Sequence, residues 1–316
     1  MIPTLLKYFN YKEINIVNKN KYEICLSKTY FSIYFKNLEE IQNNIKLLDA
    51  YISENNYLRP LFMLFKTFGM LNLSIPKSKL KALIAADLDY LYLFKNKYFI
   101  NEYELIYKTI MYYFDYKVDK TDLNNLCEYY KELSWIYYML MGSYNYLNDN
   151  DYEALIHYQS ALDQFKEYYN MDRTLITISN ISFIYNNLKK YNLCLQLTSK
   201  IIGYVYSLKN TDWIKNITLH YLYANYQSKR YNEIMNFYQK TVFDIRELTS
   251  PSAIICILAS YFNNNIDKAK SIINYFKNDD NVKYIVEYIH TKNTNLLKYI
   301  EKTQYLYEIV EELIND

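Results

Sequence analysis

Glycine and proline are scarce in this sequence, which has only 3 glycines and 4 prolines among its 316 residues. Strands that are joined by tight turns need these two residues at many positions. A loop that cradles phosphate groups also needs several glycines, and no glycine-rich nucleotide motif occurs. The scarcity therefore argues against a β-rich fold and against a nucleotide site, and it favours helices with short polar connections.

Histidine and cysteine are also few. The 3 histidines and 4 cysteines lie far apart in the chain, at His157, His220, His290, Cys25, Cys127, Cys194 and Cys256. Metal ligands and catalytic groups recur at close spacings such as CxxC or HExxH, and none of these patterns is present. We therefore predict no catalytic residue, no metal site and no cofactor, and we expect the cysteines to be reduced.

Positive and negative charges nearly cancel, since 36 lysines and arginines accompany 34 aspartates and glutamates. A nucleic-acid-binding chain usually carries a basic stripe, and none is found here. The most apolar stretch, residues 251–262, is shorter than the roughly 20 residues that cross a bilayer, so we expect it to be a buried helix. No secretion signal is recognisable at the start. We expect a cytoplasmic protein without membrane contact.

The sequence does contain an internal repeat. Four polar turns, each followed by an amphipathic helix pattern, recur at residues 150–165, 190–202, 230–242 and 265–276. When they are aligned with a period of about 40 residues, shorter for the last step, one position holds Ala154, Cys194, Ile234 and Ala269. We expect these small or medium side chains to face the partner helix of a hairpin, where the two backbones approach most closely.

A further helix pattern precedes each of these segments, at residues 134–147, 174–188, 214–227 and 252–262. The first pair matches the tetratricopeptide pattern, with Gly142 at the small position of its first helix. Its second helix has Ala154 and Ala161 at the alanine positions and Tyr158 at the aromatic one. The later pairs are degenerate. We predict an all-α solenoid of antiparallel helix pairs.

The predicted organisation has two regions. Residues 1–115 form a helical region that continues into the solenoid, with 1–30 poorly defined, and residues 116–316 carry the repeats and end in capping helices. Glu308, Glu311 and Glu312 are expected on the outer polar face of the cap. Outside the repeats, the spacing predicts helices at residues 37–55, 59–73, 77–93, 102–114, 121–133, 294–301 and 304–314.

The first helix of a hairpin of this type lines an inner groove. The groove-facing positions are occupied by Ser143, Tyr146, Ser179, Phe183, Asn186, Asn187, Tyr223, Tyr226 and Gln227. Amide side chains can pair with the backbone of a peptide, and aromatic rings accept its apolar side chains. His220 lies in one of these first helices and is a further candidate. Because the chain has 41 tyrosines, composition alone would also place aromatic residues in such a groove.

Three stretches resemble the C-terminal domain of the Rgg-type pheromone receptors. They are residues 81–114 and the segments SYNYLNDNDYEALIHYQSAL and NISFIYNNLKKYNLCLQLTSKII. These receptors belong to the peptide-sensing regulators of Gram-positive bacteria that include the Rap, PlcR and arbitrium receptors. The likeness extends over about residues 35–316. It implies a right-handed solenoid that forms homodimers and binds a short hydrophobic peptide on its concave side.

The chain departs from that family at its start. Rgg-type regulators begin with a helix-turn-helix DNA-binding domain. Residues 1–35 have neither the length nor the basic second helix of such a domain. Two explanations stay open. The DNA-binding domain was lost, is encoded separately or was removed, or the protein acts by binding another protein. We therefore expect a non-enzymatic peptide receptor that regulates transcription, possibly only through a partner. The alternatives are a constitutive protein-interaction scaffold and a DNA-binding regulator with an unrecognised reader.

Overall fold

The computed structural model describes residues 16–54, 58–73, 75–98, 102–167, 170–207, 211–240, 245, 248–301 and 303–315. In these ranges all regular secondary structure is helical and no residue lies in a β-strand, which confirms the predicted all-α class. Residues 1–15, half of the region that the sequence leaves poorly defined, lie outside the described residues. None of the helices in the described part of the chain combines the length and the apolar character that a bilayer crossing requires.

The chain divides into two compact units, Met1–Thr177 and Ile178–Asp316. This division falls inside a single helix, and the boundary predicted near residue 115 stays a prediction. The first unit contains α1 Ile16–Tyr34, α2 Leu38–Ser53, α3 Arg59–Leu71, α4 Lys77–Tyr98, α5 Glu102–Tyr113, α6 Lys120–Tyr129, α7 Ser134–Leu147, α8 Asp151–Glu167 and the start of α9 Met171–Asn187. Consecutive helices pack as neighbours, most closely α7 with α8 and α2 with α3.

The second unit begins within α9 and has shorter elements. It continues with α10 Tyr191–Thr198, α11 Ile202–Ser207, α12 Thr211–Gln227, α13 Tyr231–Lys240, α14 Ser250–Phe262, the 3₁₀ turn Ile266–Ala269, α15 Lys270–Tyr275, α16 Asp280–Thr291, the 3₁₀ turn Thr294–Tyr299 and α17 Gln304–Asn315. Helix α14 packs against α12, α13 and α16. Its residues 252–260 are all buried, so the expected buried helix is confirmed.

One kind of turn ends the first helix of all four predicted pairs. Its left-handed residue is Asp149, Lys189, Lys229 or Asn264, with φ between 54° and 58°. In each case the next N–H donates to the carbonyl five residues earlier, as from Asn150 to Asn145 at 2.9 Å, which is a Schellman-type helix end. The four turns are 40, 40 and 35 residues apart. They recur with the spacing of the aligned Ala154, Cys194, Ile234 and Ala269, which are all fully buried.

Helices α7 and α8 approach each other at Gly142. A Cβ atom added there would lie 2.6 Å from Cε1 of Tyr158, which is closer than packed carbon atoms come. Ala154 and Ala161 are fully buried in the same hairpin. Ser143 Oγ lies 2.9 Å from the Tyr158 hydroxyl and holds this ring in place. The small residues of the first predicted pair therefore serve close helix packing, as the sequence pattern indicated.

Substitution of Gly142 by alanine should lower the free energy of unfolding by about 1 kcal/mol. Alanine gains roughly 1 kcal/mol of helix propensity, but overpacking against the Tyr158 ring costs about 1–3 kcal/mol. The matched control is Gly203→Ala in α11, because a Cβ at Gly203 meets nothing within 4 Å. The control should gain stability. Urea unfolding midpoints measure the stability of both variants relative to the wild-type chain. An equal increase in stability for the two variants would contradict the packing at Gly142.

The first unit buries a guanidinium group at the end of α1. Arg173 is 3% exposed, its Nε donates to the Tyr34 carbonyl at 2.9 Å, and its Nη2 donates to the Ile33 carbonyl. Nη2 also lies 3.1 Å from Asn72 Oδ1, and the guanidinium carbon lies 4.9 Å from the centre of the Trp135 ring. Burial lowers the pKa of Arg173 to about 10. Arg173 therefore caps the negative end of the α1 dipole.

Several local predictions in the second unit are wrong. The helix expected at residues 190–202 ends at Thr198, where Thr198 Oγ1 donates to the Cys194 carbonyl at 2.8 Å and a turn follows. The helix expected at residues 265–276 begins as a 3₁₀ turn, and the one expected at residues 294–301 is a 3₁₀ turn that ends at Tyr299. Helix α16 was not predicted at all, although Asp279 caps its first turn.

Candidate functional site

The nine predicted groove residues fall in both compact units. Ser143 and Tyr146 belong to α7 in the first unit, and the other seven belong to α9 and α12 in the second. Ser143 Oγ donates to the Met139 carbonyl at 3.2 Å and pairs with the Tyr158 hydroxyl. It is therefore used inside the α7–α8 hairpin. Tyr146 is half-buried on the same helix.

In the second unit, helical spacing sets the predicted residues on shared faces. Ser179, Phe183 and Asn186 follow one another at intervals of four and three along α9, which places them on one side of that helix. His220 and Tyr223 are three residues apart on α12. We call the surface formed by these five side chains the α9–α12 face. Each of them has a contact with a residue of α17 or with another member of the face.

The polar centre of the α9–α12 face surrounds the hydroxyl of Tyr305, the second residue of α17. This hydroxyl lies 2.8 Å from His220 Nδ1 and accepts a hydrogen bond from Asn186 Nδ2 at 3.2 Å. Asn186 Nδ2 also lies 3.3 Å from the His220 carbonyl. Ser179 Oγ lies 3.0 Å from His220 Nε2, on the other side of the imidazole. Two residues of the face, Asn186 and His220, thus bond the Tyr305 hydroxyl directly, and Ser179 bonds the far side of the His220 ring.

Aromatic contacts surround this centre. The rings of Tyr223 and Tyr305 have centroids 4.2 Å apart with an interplanar angle of 31°. The Phe183 ring is 6.1 Å from both His220 and Tyr305. The Tyr223 hydroxyl donates to the carboxylate of Glu308, one turn further along α17. Burial and the neighbouring Glu308 carboxylate raise the pKa of Tyr223, so its hydroxyl stays a donor at physiological pH.

Glu308 departs from its predicted position. The sequence placed Glu308, Glu311 and Glu312 together on an outer polar face, and Glu311 and Glu312 are indeed exposed. The Glu308 carboxylate instead faces Tyr223, because residues 305 and 308 are about one turn apart and share the side of α17 that packs inward. Neither Tyr305 nor Glu308 was predicted to be part of the site. The amphipathic pattern of α17 could have indicated that one side of this helix packs inward, because its buried residues include Leu306, Ile309 and Leu313.

His220 is neutral at physiological pH. It is 7% exposed, and burial lowers its pKa to about 4. A neutral imidazole donates from one nitrogen and accepts at the other, which suits the two hydroxyl groups of Ser179 and Tyr305 on either side. The Ser179–His220 pair has the spacing of a nucleophile and its base. However, a base with a pKa near 4 takes up a proton poorly at pH 7, and both side chains are buried.

Two amide atoms of the predicted groove have no hydrogen-bond partner. Asn186 Oδ1 on α9 and Gln227 Nε2 on α12 are both inaccessible to solvent, and neither finds a partner in the described part of the chain. One is an acceptor and the other a donor. Buried polar groups are nearly always paired in folded proteins, so an unpaired acceptor and donor on neighbouring helices need an explanation.

The remaining predicted residues lie around this face. Asn187 is half-buried next to Asn186. Tyr226 is buried, and its ring lies 5.8 Å from Tyr231 and 6.4 Å from Phe262, which belong to α13 and α14. Tyr226 therefore contributes to packing within the unit, whereas Ser179, Phe183, Asn186 and Tyr223 gather around Tyr305. His220, a candidate by its place in a first helix, is at the centre.

Outside this face, His157 and the four cysteines are packed side chains, and His290 is exposed. The ring of His157 lies 5.5 Å from Tyr137, and all four cysteines are buried and unpaired. In the described ranges, no group of three or more acidic, histidine or cysteine side chains is arranged to hold a metal ion.

Comparison with known proteins gives no relative for this arrangement. This chain matches no protein-family model, no curated protein and no solved structure.

Proposed function

We propose that this chain is a non-enzymatic regulator that binds a short peptide on the α9–α12 face of its second unit. We further propose that its helix pairs are tetratricopeptide-like repeats of a right-handed solenoid, as in the Rgg-type peptide receptors that its sequence resembles. One observation carries the proposal. The α9–α12 face already binds an amphipathic segment, because α17 is held there by its Tyr305 hydroxyl and its Glu308 carboxylate.

The chemistry of the face suits a peptide ligand. It offers an imidazole, an amide and a phenol that donate or accept hydrogen bonds, next to the rings of Phe183 and Tyr223. An amphipathic helix that lies in a groove is read by anchors three and four residues apart. Tyr305 and Glu308, the two residues by which α17 contacts the face, are three residues apart and have this spacing. Asn186 Oδ1 and Gln227 Nε2 add an acceptor and a donor that a peptide backbone can satisfy.

The same features favour recognition over catalysis. The buried Ser179–His220 pair is the only arrangement at the face that has the spacing of a catalytic pair. The pKa of about 4 for His220 leaves it a weak base at neutral pH. We propose that the bound peptide acts by changing which partner the protein binds in the cytoplasm, with a homodimer as the expected form.

Calorimetric titration tests this function. The wild-type chain should bind one of the short hydrophobic peptides encoded by reading frames that flank its gene, with a Kd in the micromolar range, or about −8 kcal/mol. Gln227→Ala should weaken binding about tenfold through the loss of one hydrogen bond to the ligand. The fold should tolerate this change, because Gln227 Nε2 has no partner within the described chain.

The matched control is Asn236→Ala, which removes an exposed amide from α13 and should leave the Kd unchanged. If none of these peptides binds, the peptide-receptor function is contradicted and a constitutive scaffold becomes the better account. Equal weakening by the two substitutions would place the peptide away from the α9–α12 face.

A further inference from the structure

Helix α17 is attached to the second unit in a way that suits release. Its backbone packs most closely against the 3₁₀ turn Thr294–Tyr299, which immediately precedes it in the chain. Residues 300, 301 and 303, which connect the two, are not helical. Its polar contacts with α9 and α12 are made by the long side chains Tyr305 and Glu308, and Leu306, Ile309 and Leu313 join the apolar core of the unit. A terminal helix with local backbone contacts can leave without unfolding the helices it covers.

The resident helix satisfies the α9–α12 face incompletely. Tyr305 uses the donor half of the Asn186 amide, at 3.2 Å from Nδ2, and leaves Oδ1 without a partner. Gln227 Nε2, four residues beyond Tyr223 on α12 and next to the face, is also unpaired. A ligand that makes the two contacts of α17 and also pairs these two atoms binds more tightly than α17 does, because each unpaired buried polar group is a cost.

The contacts of α17 also define what the face recognises. The phenol of Tyr305 is read by an imidazole on one side and an amide on the other. The carboxylate of Glu308, three residues later, is read by the neutral hydroxyl of Tyr223. Leu306 and Ile309 supply the buried apolar side of the same turn. The pattern is a tyrosine, an apolar residue, and an acidic residue in the third position after the tyrosine.

We propose that the peptide ligand of the α9–α12 face carries a tyrosine followed at the third position by an acidic residue, and that it binds by displacing α17, its resident copy. The inference rests on the proposed function and names its ligand class. Because α17 is tethered, it competes at an effective concentration in the millimolar range. A free ligand binds only those chains in which α17 is released. Its apparent affinity is therefore its intrinsic affinity multiplied by the released fraction.

The test uses the full chain and a fluorescein-labelled synthetic peptide of residues 301–316. In the chain variant Tyr305→Phe/Glu308→Gln, the resident helix loses the Tyr305 hydroxyl and the negative charge that accepts from Tyr223. It keeps its ring and its volume, so the variant should fold. By fluorescence anisotropy, the wild-type probe should bind this variant at least tenfold more tightly than it binds the wild-type chain. A probe with the same two substitutions should bind the variant at least tenfold more weakly than the wild-type probe.

The matched control chain is Tyr307→Phe/Glu311→Gln, which makes the same chemical changes on the exposed side of α17. It should bind the probe no better than the wild-type chain. No binding of the probe to the variant, or equal binding of both probes, would overturn the inference. If the flanking peptides bind the wild-type chain and the probe fails, only the displacement of α17 is refuted. If neither binds, the proposed function falls as well.

Discussion

Arg173→Met should lower the free energy of unfolding of the first unit by about 3 kcal/mol. The substitution keeps most of the side-chain volume but removes the donors to the Tyr34 and Ile33 carbonyls. A hydrogen bond from a charged group contributes about 1.5–3 kcal/mol, and a cation at a partly buried helix end contributes up to about 2 kcal/mol. The loss is smaller than the sum, because Asn170 Nδ2 also donates to the Tyr34 carbonyl at 3.3 Å.

Urea unfolding followed by tryptophan fluorescence measures this effect. The chain has 2 tryptophans, so a Trp213→Phe background leaves Trp135, which lies beneath the Arg173 guanidinium, as the reporter. Arg173→Lys keeps the charge without the planar fork of donors and should lose roughly half as much. The control Arg230→Met removes an exposed arginine that donates to Asn192, and it should change stability by less than about 0.5 kcal/mol. Similar losses for Arg173→Met and Arg230→Met would contradict the capping role.

Acidification from pH 7 to pH 4 should destabilise the second unit by about 3 kcal/mol through His220 alone. Burial lowers the folded-state pKa of His220 to about 4, against about 6.5 in an unfolded chain. Between these values the unfolded state binds one proton more than the folded state, so stability falls as the pH falls. The contribution is fully present above pH 6.5, is lost progressively toward pH 4, and changes no further below that value.

The measurement is the free energy of urea unfolding at half-unit pH intervals. His220→Gln should flatten the slope between pH 4 and 6.5 by about one proton, which is about 1.4 kcal/mol per pH unit. His290→Gln removes an exposed imidazole from α16 and should keep the wild-type slope. A slope that His220→Gln leaves unchanged would show that His220 is charged in the folded protein, in conflict with its position between Ser179 and Tyr305.

The local architecture could be predicted because it depends on nearby residues. The small residues at Gly142 and Ala154 indicated close helix packing, and the left-handed turns recur with the predicted repeat spacing. These turns are closed by Asp149, Lys189, Lys229 and Asn264 without a glycine. Low glycine content was therefore compatible with sharp helix ends. The break after Thr198 was missed because the apolar pattern continues through it while a side-chain hydrogen bond competes for the backbone.

The occupant of the predicted groove could not be read from the sequence. Helical spacing placed Asn186 and Tyr223 on groove-facing positions, but Tyr305 is 119 residues from Asn186 along the chain. No local periodicity reports a pairing of that length. The acidic residues of α17 suggested a solvated outer face, and only packing shows that Glu308 turns toward Tyr223. Short-range pattern thus gives the helices and their faces, whereas contacts between distant helices decide what covers them.

Hydrogen–deuterium exchange of the full wild-type chain, with and without the tightest-binding peptide of the calorimetric series, tests whether a peptide replaces α17 on the α9–α12 face. We expect slower amide exchange at residues 179–187 and 220–227 when the peptide is bound, together with faster exchange at residues 304–315 as α17 is released. Protection confined to other helices, or unchanged exchange in α17, would contradict this replacement.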